Sequence, residues 1–344
     1  MINNKFMPVK FKSIATGFLV LALLATIGGA GAWWYLYDYA SSPADPGASG
    51  QVVEVPPGAG FSLVAARLHQ RGIIDKPDLF KILIRTNHKD GVIKAGEYRL
   101  SGAMPPADIL DKLIRGEVIL HQLTVPEGYN IDQIAGLVGQ VGLAEPDDFV
   151  AAAHQPDLIE SLGIAAVSLE GYLFPETYYF EAGVSPIQIV ETMVDRFLTV
   201  FDQSRQERAE ELGLSRHQIV ILASIIEKET SSARERPLIS SVFHNRLAKG
   251  MRLDSDPTVI YGIEAFDGDI TRKHLNTPTP YNTYRLRGLP AGPIANPGEA
   301  SLEAALYPAE TKYLYFVSRK DGTHHFSTNL SEHNRAVRKY QLGR

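Results

Sequence analysis

The sequence predicts an α+β protein. It has an N-terminal transmembrane helix, a small mixed α/β module, and a larger, mainly helical domain with a C-terminal β-hairpin. Three observations predict this. An apolar run without charge follows a basic tip. Strand-like alternation and helical periodicity interleave over residues 51–125. From Asn130 onward apolar positions recur with a helical period, until two short strand-like segments near the end.

The elements follow in order. No charged residue lies between Lys12 and Asp38. As a helix, residues 13–37 span roughly 37 Å, enough for a bilayer core of about 30 Å. Lys5, Lys10 and Lys12 make residues 1–12 a cytoplasmic tip, and Trp33, Trp34, Tyr35 and Tyr37 form an aromatic belt at the outer interface. The competing reading is a signal peptide cleaved at Ala30-Gly31-Ala32. The run exceeds a signal core in length and favours an anchor; either way the rest lies outside the cytoplasm. Residues 38–50 read as a linker rich in Ser, Pro and Gly. Residues 51–125 follow as a module: a strand at Gln51–Val55, helices at Phe61–Arg71 and Lys76–Arg85, a strand at Gly96–Leu100, a helix at Pro105–Arg115 and an extended Val118–Val125. Residues 126–344 form the last domain. Its expected helices are Ile131–Val141, Pro146–Ala153, Pro186–Phe201, Gln206–Leu212, one opening at Ser215, and Leu238–Lys249 between Pro237 and Gly250. Tyr313–Val317 and His324–Ser327, around an Asp321-Gly322 turn, read as a hairpin.

Composition narrows the function. A net charge of −5 leaves no basic footprint for nucleic acid. The absence of cysteine excludes disulfides and thiolate zinc sites. There is no P-loop, dinucleotide fingerprint, HExxH or GxSxG. No cofactor and no metal is expected: Asp254 and Asp256 lack a third ligand at calcium-loop spacing, and His324 and His325 point to opposite faces of a strand.

The most informative residue is Glu227, which follows the apolar run Ile219–Ile226. Ser215 and Gln218 form a capping-box pattern, which starts a helix there. Ile219, Leu222, Ala223 and Ile226 share a face, and Glu227 points partly towards it. A carboxyl group held there loses hydration and retains its proton to higher pH, as a general acid requires. The alternative is that Glu227 marks the helix end and faces water. Glu229, two residues on, points to nearly the opposite side of a continuing helix, so one acid rather than a pair is expected. Leu169–Phe180, dense in aromatics and carrying Glu170 and Glu176, suits sugar recognition or an ordinary core. His244-Asn245-Arg246 has polar groups for a cleft or for water. The Pro- and Gly-rich stretches Pro280–Arg285 and Gly288–Pro297 suit the wall of a groove.

These stretches together resemble the membrane-anchored endolytic murein transglycosylases, the YceG-like family. The resemblance rests on Leu169–Phe180, Ala223–Thr230, Val242–Leu247, Asp256–Gly262, Tyr281–Thr283 and Gly288–Pro297. Residues 51–125 with Val125–Tyr129 resemble the family's LysM-like portion in layout. The resemblance implies cleavage of the β-1,4 bond between N-acetylmuramic acid and N-acetylglucosamine in nascent peptidoglycan. It implies 1,6-anhydro ends and strand release at the inner membrane, beside cell-wall synthases. It makes Glu227 the catalytic acid, with Glu170, Glu176, Asn245, Arg246, Tyr281, Asn282 and Thr283 as candidate substrate-binding residues. Two alternatives stay open: a non-catalytic peptidoglycan-binding scaffold, and a hydrolytic muramidase using Glu176 or Asp256 as second acid.

Overall fold

The computed structural model describes residues 9–87, 93–263 and 266–343. Lys5, with the rest of residues 1–8, lies outside them. The chain divides into two compact units, Met1–Leu120 and His121–Arg344.

The first unit contains α1 (Val9–Ser41), β1 (Gln51–Val55), α2 (Phe61–Gln70), α3 (Pro77–Asn87), β2 (Gly96–Leu100) and α4 (Pro106–Arg115). β1 and β2 pair antiparallel, with Val53 opposite Tyr98. Alternation decides the faces: Val53 and Val55 are buried while Val52 and Glu54 are exposed. The buried face packs with Leu68 of α2, Phe80 and Ile84 of α3, and Leu113 of α4. Thr16–Ser41 of α1 is long and apolar enough to cross a membrane, and its central leucines are exposed.

A linker was expected at 38–50, yet α1 runs on to Ser41. Tyr39 and Ala40 are buried in this unit's core, and Lys76 Nζ lies 5.2 Å from the Tyr35 ring centroid. The chain beyond is tied down as well. Asp45 N–H donates to Gly102 O at 2.9 Å, and Ser101 Oγ donates to Ala48 O at 2.7 Å. Composition marked the segment as loop; two apolar residues at its start docked it.

β3 (Leu120–Thr124) follows at the boundary in sequence. The second unit continues with α5 (Ile131–Val141), α6 (Pro146–Ala153), α7 (Pro156–Ser161), β4 (Thr177–Glu181), α8 (Pro186–Val200), α9 (Gln203–Glu211) and α10 (Arg216–Glu229). It ends with α11 (Arg236–Ala248), α12 (Asp256–Tyr261), α13 (Arg272–Asn276), α14 (Glu299–Leu306), β5 (Tyr315–Ser318), β6 (His324–Ser327) and α15 (Leu330–Tyr340). β3 pairs with β4, and β5 with β6, whose register sets Phe316 opposite Phe326. Local signals start several helices: α5, α8 and α10 carry complete capping boxes from Asn130 with Gln133, Ser185 with Gln188, and Ser215 with Gln218.

α10 is the axis of this unit. Every residue from Ile219 to Ile226 is buried, so the helix is apolar on all sides and is surrounded. α9, α11, α12 and α14 pack on it. Its one polar residue in that run, Ser224, donates to Ile221 O at 2.7 Å and accepts from Ile294 N–H at 3.1 Å. That second bond fixes the Pro- and Gly-rich loop against the helix.

Candidate active site

Glu227 stands where α10 leaves the core. Its side chain is only 7% exposed, yet it borders an open cleft of about 560 Å³. Both oxygens are held. Oε1 accepts from Arg236 Nη2 at 3.2 Å, and Oε2 accepts from Gly298 N–H at 3.0 Å. Arg236 comes from the first turn of α11, and Gly298 is the N-cap of α14. Two of the helices that pack on α10 therefore aim one donor each at the carboxyl group.

A third segment completes the cleft. Residues 127–129 form a turn in which Gly128 takes φ +76, and a Cβ there would come within 3.4 Å of Glu227 Cγ. The turn is pinned by Lys228 Nζ, which donates to Gly128 O at 3.1 Å, and by Asn296, which accepts Gly128 N–H on its backbone oxygen at 2.9 Å. Glu127 consequently reaches Arg236 Nη2 at 3.7 Å. Burial raises the pKa of the Glu127 carboxyl, and the charge of Glu227 raises it further, while Arg236 pulls it down. The sequence reading expected one acid here and treated Val125–Tyr129 only as family layout. Glu127 and Arg236 come to the cleft from outside the Glu227 motif, and no local periodicity announces either.

Glu229 also borders the cleft, although α10 continues through it. The cleft wraps the C-terminal end of the helix, so residues on different faces line it. Their partners differ: Glu229 accepts from Ser255 Oγ, and burial pushes its carboxyl up to about 7.

Among the described residues, none of the seven sequence-predicted substrate-binding residues lines this cleft. Glu170 is 3% exposed and accepts from Ile131 N–H at 3.2 Å, Tyr261 hydroxyl at 3.0 Å and Asn296 Nδ2 at 3.0 Å. Burial pushes it up to about 7, against the pull of the Ile131 N–H. Glu176 is exposed and pairs with Arg196. Asn245 Nδ2 donates to the carbonyls of Thr311 and Tyr313, both at 3.0 Å. Arg246 is buried, with Nε on Leu314 O at 2.7 Å and Nη1 on Leu253 O at 2.6 Å. Asn282 Nδ2 donates to the carbonyls of His274, Leu275 and Thr277. Thr283 Oγ1 accepts from Ser255 N–H at 2.9 Å. Tyr281 is half-buried, its ring edge-to-face with Tyr261 at 4.7 Å. Asp256 accepts from Tyr284 hydroxyl at 2.7 Å. Asn245 and Arg246 hold the segment that leads into β5, with Arg246 also holding Leu253, Asn282 and Thr283 shape the 274–283 loop, and Glu170 joins the start of α5 to Asn296.

The arrangement presents one sequestered carboxyl group beside an open groove, gripped by a guanidinium and a backbone N–H, with the Glu127 carboxyl group on the same guanidinium nitrogen. This suits proton transfer to a bound substrate.

Comparison with known proteins gives the same direction. The YceG-like family matches residues 53–339. The endolytic murein transglycosylase of Bacillus subtilis is 33% identical over 304 residues, covering 84% of either chain. That of Streptococcus pneumoniae is 30% identical and covers 95% of this chain, which spans 65% of the streptococcal protein. The crystal structure of a YceG-like protein from Listeria monocytogenes superposes with a TM-score of 0.58 at 36% identity, covering 84% of this chain and 99% of that one.

Proposed function

This chain belongs to the YceG-like family, and from that premise we propose the chemistry its cleft performs. It is a peptidoglycan lytic transglycosylase. Its bond is the β-1,4 link between N-acetylmuramic acid and N-acetylglucosamine, cut inside nascent strands to terminate or release them. Glu227 protonates the glycosidic oxygen as the C–O bond breaks. The muramic 6-hydroxyl then attacks the anomeric carbon and gives its proton to Glu227. The products are a 1,6-anhydro-muramic end and a free 4-hydroxyl. No water is consumed, so one carboxyl group serves both steps, whereas glycoside hydrolysis generally uses two.

The observation that carries this reading is the Glu227 side chain, 7% exposed at the edge of a cleft and held by donors from two helices. Glu170, Asn245, Arg246, Asn282 and Thr283 serve the glycan through the loops they brace. Tyr281 and Glu176 keep surface for sugar faces and hydroxyls. Residues 51–125 act as a LysM-like glycan-binding module.

Mass spectrometry of a short digest of purified glycan strands tests the reaction. Each cut should leave an end lighter by one water than a hydrolysed reducing end, and early fragments should be long. Oxygen from labelled water in new reducing ends would instead make the enzyme a muramidase. In that case the second acid would come from Glu127 or Glu229, which border the cleft, rather than from Glu176 or Asp256, which do not.

The single-pass anchor is α1, placed in the inner membrane beside the cell-wall synthases, with the cleft outside the cytoplasm. Protease added to spheroplasts should digest residues 121–344, and carbonate washing should leave the full chain in the membrane. Recovery of a soluble protein beginning near Trp33 would show that Ala30-Gly31-Ala32 is cut.

A further inference from the structure

We propose that Glu127 is a positioning residue that keeps the transferable proton on Glu227 by sharing Arg236 with it. The inference rests on Glu227 being the acid. One guanidinium nitrogen serves two carboxyl groups, at 3.2 Å to Glu227 and 3.7 Å to Glu127. Alone with Arg236, Glu227 would form a simple ion pair, which favours the carboxylate and works against a general acid. A second negative charge on the same guanidinium offsets that pull, so Arg236 is less committed to the Glu227 carboxyl group.

The groups that face this pair are few. α10 contributes Lys228, whose ammonium bonds to Gly128 O, and Glu229, whose carboxyl accepts from Ser255. α11 contributes Arg236 itself; the neighbouring Glu235 is engaged by His324, through both its N–H and Nδ1. At the start of α14, Gly298 offers only backbone, and Glu299 pairs with Arg205. Among the described residues, Glu127 is therefore the other carboxyl group that pairs with Arg236. Its place is built into the fold. An ideal Cβ on Gly298 would lie 1.9 Å from Glu127 Oε1, so the carboxyl group rests against the α-carbon of the residue whose N–H grips Glu227.

The test is the pH profile of kcat for the full chain on purified glycan strands. Glu127→Gln leaves Arg236 to Glu227, so the alkaline limb should move to lower pH by about one unit. That is roughly a tenfold loss above the limb, with the rate restored on the acid side. Glu127→Asp should recover part of the shift. Gly298→Ala provides an independent arm. Its backbone, at φ −75 and ψ 171, accommodates alanine, so the N–H to Glu227 stays while the new methyl displaces the Glu127 carboxyl. It should move the limb the same way without removing a charge. Limbs that coincide with wild type in both variants, whatever the overall rate, would overturn the inference and leave Glu127 a structural role. Retained turnover in Glu227→Gln would instead overturn the assignment of the acid, a result separable from the first.

Discussion

Glu227→Gln should lose at least two to four orders of magnitude in glycan cleavage while the protein stays folded and still binds strands. General acid–base catalysis is worth about 10²–10⁴-fold for one transfer, and in the proposed reaction this residue acts in both halves. The substitution suits the site. Gln preserves volume, and its amide oxygen can accept from either Arg236 or Gly298, the two donors that hold the native carboxyl group. Only the transferable proton and the charge disappear. Binding is read by co-sedimentation with insoluble peptidoglycan and turnover by release of soluble fragments. Loss of turnover with binding intact also separates the enzyme from a glycan-binding scaffold, which has no use for the carboxyl group. Near-wild-type turnover would remove Glu227 from the mechanism.

Asn296→Ala should cost the second unit about 2–5 kcal/mol, and activity with it. The native side chain is fully buried and has every group engaged. Its Oδ1 accepts from Leu173 N–H at 2.8 Å, and its Nδ2 donates to Tyr129 O at 2.9 Å and to Glu170 at 3.0 Å. Alanine leaves the Leu173 N–H without a partner and takes a donor from a buried carboxyl group. Each such orphan costs about 1–3 kcal/mol. The backbone of Asn296 would still bond to Tyr129 O and Gly128 N–H, so the turn that carries Glu127 should loosen rather than detach. A urea midpoint taken beside the cleavage rate measures both effects. A change below about 1 kcal/mol would show that the turn and the loop are held by other means.

Asn296 also shows where the sequence ceased to be informative. Signals confined to neighbouring residues were legible. The capping box at Ser215 opened α10 as expected; Ile131–Val141 has the expected bounds because apolar period and cap coincide, and Pro146–Ala153 because a proline opens it. Glu227 was legible because a carboxylate ending an almost wholly apolar run is a local anomaly. α14 was not: its Ala- and Leu-rich eight residues follow a glycine N-cap without a side-chain cap, and burial on most sides erases its period. α15 went unassigned beside the hairpin; its few apolar residues leave only Ala336 buried. The partners of Glu227 were hidden for another reason. Arg236 and Gly298 belong to later helices and Glu127 to a distant turn, and only packing makes them neighbours. Polar residues misled in the opposite direction. Nothing in a sequence distinguishes an asparagine aimed at a sugar from Asn282, whose amide closes three carbonyls of its own loop.

The unbroken run of α1 into the core of the first unit has a mechanical consequence. A transmembrane helix adjusts its tilt to the thickness of the surrounding bilayer. Were residues 38–50 a slack tether, that adjustment would end at the membrane surface. With Tyr39 and Ala40 buried among the residues of the first unit, and Asp45 and Ala48 bonded to it, no swivel intervenes. With α1 as the anchor proposed above, tilt in the lipid would pass into the inclination of that unit, so membrane composition would enter the protein as a torque rather than through a binding site.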